Sequence, residues 1–393
     1  MIRTTFVGRE MLRKAGGAAA ARAACWLVLL LLGVSAVPAL AQEAKLAPEK
    51  QAKIEAAVAK FMATSNAPGI SAAVVENGQY EWSAGFGMAD LENFVPATSV
   101  TLYRLGSISK PLTSTAAMEL WERGKLDLEA PVQKYCPAFP QKESPITTRE
   151  LMGHLGGIRH YKTNPQEDLE GGNTKHFDNG IEAGLKFFEN DPLVAQPGTH
   201  FHYSTQGYTL VGCAIEGASG EKYTDYVRES VFAPAGMVRT QADNRFAIIQ
   251  YRTRFYSKDE SGAVVNADFL DSSYKVPGGG WLSSAEDMAR FEVAMLNDKL
   301  VKRATRDIMW TPQKPSDGSA DVYGLGWGTG SMSGVLRVGH SGAQQGCSTS
   351  IILAPDKGAG VVVLINMDDV DASGLAAELL RIVLGLPAEA PAK

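Results

Sequence analysis

The 393 residues are enough for one large domain or two ordinary ones with a substantial core, and 45% hydrophobic with 21% charged residues is the composition of a globular protein. The formal net charge is −5, with no basic run beyond the first residues, so the chain lacks the electrostatic footprint of a nucleic-acid or anionic-membrane binder.

Arg3, Arg9, Arg13, Lys14 and Arg22 precede an apolar run from Cys25 to Val34, and Ala39-Leu40-Ala41 precedes Gln42. A positive region, a short apolar core and a small-x-small site predict a secretory signal peptide over 1–41, cleaved after Ala41, and a periplasmic destination. The apolar run is shorter than the ~20 residues that span a bilayer, which disfavours an uncleaved anchor. Met11 is an alternative start, because the positive region is long. Cys25 precedes the apolar run instead of following it, which argues against a lipoprotein. Removing the segment leaves 33 basic against 42 acidic residues, a net charge of −9. Cys136, Cys213 and Cys347 remain, an odd number that allows at most one disulfide and leaves at least one free thiol. None has zinc-ligand or redox-pair spacing, and they read as small buried hydrophobes.

Apolar residues recur with helical period from Ala47 to about Ser65, behind a Pro48 suited to a first turn. Gly69 to Glu76 reads as a strand, Asn77-Gly78 as a two-residue hairpin turn, and Gln79 to Phe86 as the returning strand. A helix follows from about Ser107, ending near Gly124. Beyond it helical patterns dominate, around 148–155, 180–189, 208–218, 223–231 and 285–297, separated by Gly- and Pro-rich turns. Strands return at 324–330, 335–340, 348–353 and 360–366, and a last helix spans Ala372 to Leu384 before a frayed tail. The expected fold is α/β of the α+β kind. One antiparallel sheet is built from both termini (about 47–100 and 323–384) and flanked by helices, with an inserted all-α subdomain (about 115–310), and residues 42–393 form a single domain.

The chemistry centres on Leu105-Gly106-Ser107-Ile108-Ser109-Lys110-Pro111. On a helix Ser107 and Lys110 are one turn apart on one face, so hydroxyl and amine can meet. Orphan N–H groups at a helix start favour negative charge on an attacking oxygen, and a buried lysine amine can take the serine proton. Alone, this tetrad reads more readily as a serine cap and a snorkelling lysine, since Ser-x-x-Lys is a common tetrad.

Two further segments change that reading. His202-Tyr203-Ser204-Thr205 lies between a Pro-Gly turn and a helix, and Gly339-His340-Ser341-Gly342-Ala343 ends a strand. Serine-lysine at a helix start, a tyrosine loop, and a strand ending in basic-hydroxyl-glycine form the three-part signature of penicillin-interactive serine enzymes. The chain thus resembles the class C β-lactamase and D-Ala-D-Ala carboxypeptidase superfamily over 47–384, and within it the branch of mitochondrial serine β-lactamase-like proteins. Gly124-Lys125-Leu126-Asp127-Leu128, Leu155-Gly156-Gly157-Ile158-Arg159-His160-Tyr161 and Gly278-Gly279-Gly280-Trp281-Leu282-Ser283 carry the same likeness. The resemblance implies Ser107 as nucleophile, Lys110 as its base and Tyr203 as proton shuttle to the leaving group. It implies an oxyanion hole from the amides of Ser107 and Ala343, with His340, Ser341, Gly342 and Thr205 around the substrate. No cofactor or metal is implied.

Two positions depart from the superfamily pattern. Thr205 stands where many relatives have asparagine, although the mitochondrial branch shares the threonine. His340 stands where lactamases and carboxypeptidases keep lysine, and a largely neutral histidine weakens any preference for a substrate carboxylate there. Arg337, three residues along the strand, points to the other face and does not replace it. His200 and His202 alternate on one face, but no carboxylate or cysteine stands at ligand spacing, so zinc is not expected. His154 and His160 frame a Gly-rich turn as packing or hydrogen-bonding residues, and Trp281 reads as core packing by default, its place after the glycines offering substrate contact as the alternative. The expected function is an exported serine hydrolase that forms an acyl-enzyme with an amide, peptide or ester. A true β-lactamase or D-Ala-D-Ala carboxypeptidase is the alternative within enzymes. A catalytically silent, polymerising scaffold or penicillin sensor is the alternative from another class.

Overall fold

The computed structural model describes residues 46–162, 173–319 and 322–387, so the expected signal peptide and its cleavage site lie outside the described residues. Helix α1 (Pro48–Ser65) starts on a proline in its first turn and ends on Asn66 at φ 57°, a left-handed cap that asparagine tolerates. Strands β1 (Gly69–Glu76) and β2 (Gln79–Asp90) follow. Their turn has φ 54° at Asn77 and 70° at Gly78, positive at both central residues as a type I′ hairpin requires. The main sheet is completed by β3 (Val95–Pro96), β4 (Gly328–Met332), β5 (Val335–Gln344), β6 (Cys347–Ala354) and β7 (Ala359–Ile365).

The strand order is β3-β2-β1-β7-β6-β5-β4, antiparallel throughout, with Ile70 opposite Ile365 and Val74 opposite Val361. The two ends of the chain are therefore neighbours in the sheet centre. β1 and β7 are unbroken apolar runs because both their faces are covered. Ala72, Val74, Val361 and Val363 pack under α1 and the last helix, α5 (Ala372–Leu384). Ala73, Val75, Val362 and Leu364 belong to the larger core shared with the helical half.

Three helices build most of that half: α2 (Ser109–Glu122), α3 (Thr205–Ser219) and α4 (Ala285–Leu296). α2 is buried from Ser109 to Leu120, which makes it a central helix and not a surface amphipath. α4 is capped by Ser284, whose side chain accepts from the Asp287 N–H, and carries Glu286 and Asp287 in its first turn, where the helix dipole favours them. The sequence reading of an all-α insertion is corrected: the insertion also carries short strands. Tyr103–Arg104, Trp281–Ser283 and Gln241–Ala242 form a small three-stranded sheet, and Tyr256–Lys258 pairs with Val264–Asn266. Runs of two or three residues carry no readable alternation, so they escape a periodicity argument.

The cysteine reading is corrected as well. Cys136 and Cys213 form a disulfide with Cα atoms 5.4 Å apart, across 77 residues of sequence, and among the described residues Cys347 is the one free thiol, buried. Sequence spacing cannot reveal such a pair, because the tertiary fold alone brings the two sites together.

Candidate active site

The α-helix begins at Ser109, and Gly106–Ile108 forms a single 3₁₀ turn ahead of it, so Ser107 stands one step before the helix proper. This turn lies directly on β5. Gly106 has φ 52°, and a Cβ there would sit 2.8 Å from the Ala343 nitrogen. A Cβ on Gly342 would fall 2.0 Å from the Leu105 carbonyl oxygen. Two facing glycines thus let the backbones touch, and the Thr349 hydroxyl on β6 donates to Leu105 O at 2.8 Å to hold the turn down. Ser107 and Ala343 border one cavity as a result.

Lys110 is fully buried, one turn after Ser107. Its Nζ lies 2.9 Å from Ser107 Oγ, 3.1 Å from Thr205 Oγ1 and 2.8 Å from the Gly278 carbonyl oxygen. Burial, and then the positive charge of Lys275, hold its pKa well below the ordinary lysine value. A neutral amine fits these three neighbours completely. In this geometry Nζ donates toward all three oxygens; once neutral it can keep its N–H bonds to Gly278 O and Thr205 Oγ1 and turn its lone pair to the Ser107 O–H. Gly278 must be small, since a Cβ there would meet Thr205 Cγ2 at 2.6 Å.

Tyr203 is set by the start of α3. Ser204 caps that helix by accepting from the Gly207 N–H at 2.8 Å, and its hydroxyl donates to Arg159 O at 2.7 Å. Two histidines then clamp the segment through their Nδ1 atoms. His154 accepts the Ser204 N–H at 3.1 Å, and His160 accepts the Thr205 N–H at 3.2 Å. The His154 ring lies 4.3 Å from that of Tyr203, centre to centre, and His160 meets it edge-on at 5.4 Å. On the other side, Lys110 Nζ sits 4.8 Å from the Tyr203 ring centre. Burial pushes the phenol up to about 12, offset in part by the Ser107 hydroxyl, so at neutral pH Tyr203 is a proton donor and not a phenolate.

The sequence places His340 and Ser341 across from Ser107, and here the structure differs. They line a neighbouring cavity of about 570 Å³, together with Tyr203, Tyr323 and Phe201. The Ser107 cavity, of about 250 Å³, takes its β5 wall from Ala343 and Gln344 instead, because the close approach of Gly106 to Gly342 sets the turn lower on the strand. His340 Nδ1 donates to Ser341 O at 2.6 Å, and its Nε2 lies 2.8 Å from the Tyr323 hydroxyl, which fixes one neutral tautomer. Burial, and then the Lys110 charge, push its pKa down to about 3. Among the described residues of that cavity wall the only cation is the exposed Arg337, whose guanidinium lies over Gly330 at the rim.

Other expectations resolve as follows. His200 and His202 are exposed, and among the described residues no group of three His, Cys, Asp or Glu side chains is placed to hold a metal ion. Trp281 does not reach the cavity. It is buried against Phe232 and donates its Nε1–H to the Tyr223 hydroxyl at 3.0 Å. Lys275 is the residue the sequence reading missed. It is 3% exposed and lines the Ser107 cavity. Its position just before Pro277-Gly278-Gly279-Gly280 was the available signal.

A family model described as Beta-lactamase matches residues 54–384. The chain is 33% identical to the human (Homo sapiens) serine beta-lactamase-like protein LACTB, mitochondrial, over 81% of this chain and 76% of that protein. It is 29% identical to penicillin-binding protein 4* of Bacillus subtilis (strain 168), over 75% of this chain and 67% of the relative. The solved octameric penicillin-binding protein homologue from Pyrococcus abyssi superposes with a TM-score of 0.73 at 29% identity, covering 86% of this chain and 78% of that one. With a serine hydroxyl and a tyrosine ring on either side of one buried lysine amine, in the fold those relatives share, the chain belongs to the beta-lactamase family and is a serine hydrolase.

Proposed function

We propose that this hydrolase works outside the cytoplasm and transfers the acyl group of an amide, peptide or ester to Ser107 and then to water. The observation that carries the reading is the Lys110 amine, fully buried, with Ser107 Oγ at 2.9 Å and its two N–H bonds committed elsewhere. Lys110 takes the Ser107 proton as Oγ attacks the carbonyl carbon, and the carbonyl oxygen becomes an oxyanion facing the Ser107 and Ala343 amides. Collapse breaks the C–N or C–O bond. Tyr203 gives its proton to the departing nitrogen or oxygen and regains one from the Lys110 ammonium. Water then attacks the acyl ester, losing its proton to the same pair, and Ser107 leaves reprotonated.

The leaving group departs on the Tyr203 side, toward the cavity that holds His340. A neutral imidazole stands at the lysine position there, and the cation of that cavity wall is Arg337, which the sequence reading set on the other face and which is exposed to solvent; this favours a general amide or ester over a D-Ala-D-Ala terminus or a β-lactam, both of which present a carboxylate. Export to the periplasm is supported by the N-terminal sequence and by the Cys136–Cys213 disulfide, a bond that persists in oxidising compartments. The test is the intact mass of the protein after exposure to a serine-reactive fluorophosphonate, beside Ser107→Ala. One adduct, absent from the variant, is expected. A folded protein that takes no adduct sinks the catalytic reading and leaves a scaffold role in its place.

A further inference from the structure

Lys275 is a buried ammonium with no carboxylate paired to it among the described residues. Among the described residues its Nζ has no carboxylate and no hydrogen-bond acceptor, and its neighbours are the rings of Tyr161 and Tyr274, centred 5.2 and 5.4 Å away. The nearby Arg104 is satisfied by contrast. Its Nε donates to Asp243 at 2.8 Å, and its other nitrogens reach the carbonyls of Gln345 and Leu270. Asp271, the other buried carboxylate nearby in sequence, is taken by His176 and Arg245. A second donor shares the cavity with Lys275: Gln344 Nε2 is buried and has no acceptor among the described residues.

Burying an unpaired charge and an unpaired amide N–H is costly, so two such donors facing one cavity mark a place where a ligand supplies the acceptor. A carboxylate meets both needs, with one charge and two oxygens. Its place on the substrate follows from the direction of the reaction, and this step rests on the acyl-transfer reading above. The leaving group must lie toward Tyr203, which donates the proton to it and opens on the His340 cavity. The cavity of Ser107, Thr205, Lys275 and Gln344 is then left for the acyl portion.

We infer that Lys275, assisted by Gln344, reads a carboxylate on the acyl portion of the substrate, so that the preferred substrates are amides or esters of dicarboxylic acids or of acidic residues. Burial, and then the Arg104 charge, bring Lys275 down to about 8, which leaves it protonated at neutral pH.

Binding can be measured without turnover in the full-length Ser107→Ala protein by isothermal calorimetry at pH 7. The probes are the monoanilides of succinic, glutaric and adipic acids, each beside the neutral anilide of matching length. At least one acid should bind ten-fold or more tighter than its neutral match. Lys275→Gln added to Ser107→Ala should bring that ratio to about one, Lys275→Arg should keep part of it, and Gln344→Ala should lower it. Equal affinities, no measurable binding of any acid, or a preference that survives Lys275→Gln in a folded protein would overturn the inference. Fluorophosphonate labelling of Ser107 in the wild-type protein judges the hydrolase reading separately, so either can fail while the other stands.

Discussion

The Gly278 carbonyl oxygen accepts a hydrogen bond from the Lys110 amine at 2.8 Å, and the same glycine gives Thr205 the room to supply the second acceptor at 3.1 Å. One residue without a side chain therefore supplies one acceptor to the Lys110 amine and makes room for the other. Gly278→Ala would place a methyl group 2.6 Å from Thr205 Cγ2 and 2.9 Å from its carbonyl oxygen. Overpacking of this kind costs about 1–3 kcal/mol. We expect a folded but less stable protein whose kcat drops by about ten-fold or more, since a displaced Thr205 or Gly278 frees an N–H that then competes for the Ser107 oxygen. Parallel thermal melts and ester turnover measure both effects.

The pH dependence of kcat/KM reports the proton on Lys110. Only the neutral amine can accept the Ser107 proton, so activity rises with pH as Lys110 deprotonates, and the depressed pKa brings that rise far below the ordinary lysine range. Lys275 contributes by repelling a second positive charge. Neutralising it in Lys275→Met removes the repulsion, makes protonation of Lys110 easier, and should move the acid limb to higher pH. A pH–rate profile with a neutral ester, compared between wild type and variant, checks the direction. An acid limb that stays in place would break the link between the two lysines.

The disulfide closes a loop of 77 residues, so its removal should release a large amount of chain entropy in the unfolded state. Loop closure of that length is worth up to about 4.5 kcal/mol. Cys136→Ala/Cys213→Ala should lower the midpoint of unfolding by several degrees. It should leave turnover at 25 °C nearly unchanged, because Cys213 lies more than two helical turns along α3 from Thr205. Differential scanning fluorimetry with and without reductant gives the comparison.

Glu292 is fully buried in α4, its carboxyl against Gly360, and burial, offset in part by the Ile352 amide, raises its pKa well above the ordinary carboxyl value. The folded protein holds a proton that the unfolded chain gives up above its usual carboxyl pKa. Stability is therefore lost as pH rises from that value toward the raised one in the folded state. Glu292→Met keeps the volume and removes the acid, so it should stabilise the protein by about 1–3 kcal/mol at neutral pH and by less in acid. Urea unfolding at pH 4 and pH 7.5 would test the sign and its pH trend.

What was legible in the sequence was local. The β1–β2 hairpin follows from Asn77-Gly78 between alternating apolar runs, and α5 was bounded at Ala372 and Leu384 because a polar turn precedes it and Gly385 ends it. Ser107, Lys110 and Tyr203 each sit in a short motif at a helix start. Lys275, the Cys136–Cys213 pair and the Nδ1 bonds of His154 and His160 depend on segments that meet only in the fold, and no spacing along the chain announces them. The same limit explains Trp281. Its place after three glycines suggested a substrate contact, whereas the short strand it opens turns its ring into the core.

The pairing of Ile70 with Ile365 carries a consequence for biogenesis. Ser107 and Lys110 leave the ribosome early, but Ala343 arrives with the last quarter of the chain, and within the sheet β5 is joined to β1 through β6 and β7. A fragment that stops short of β7 has the serine and its lysine without the sheet that brings the Ala343 amide to them. Prematurely ended or clipped copies are then inert, and the chain becomes a hydrolase only once synthesis has reached its final strand.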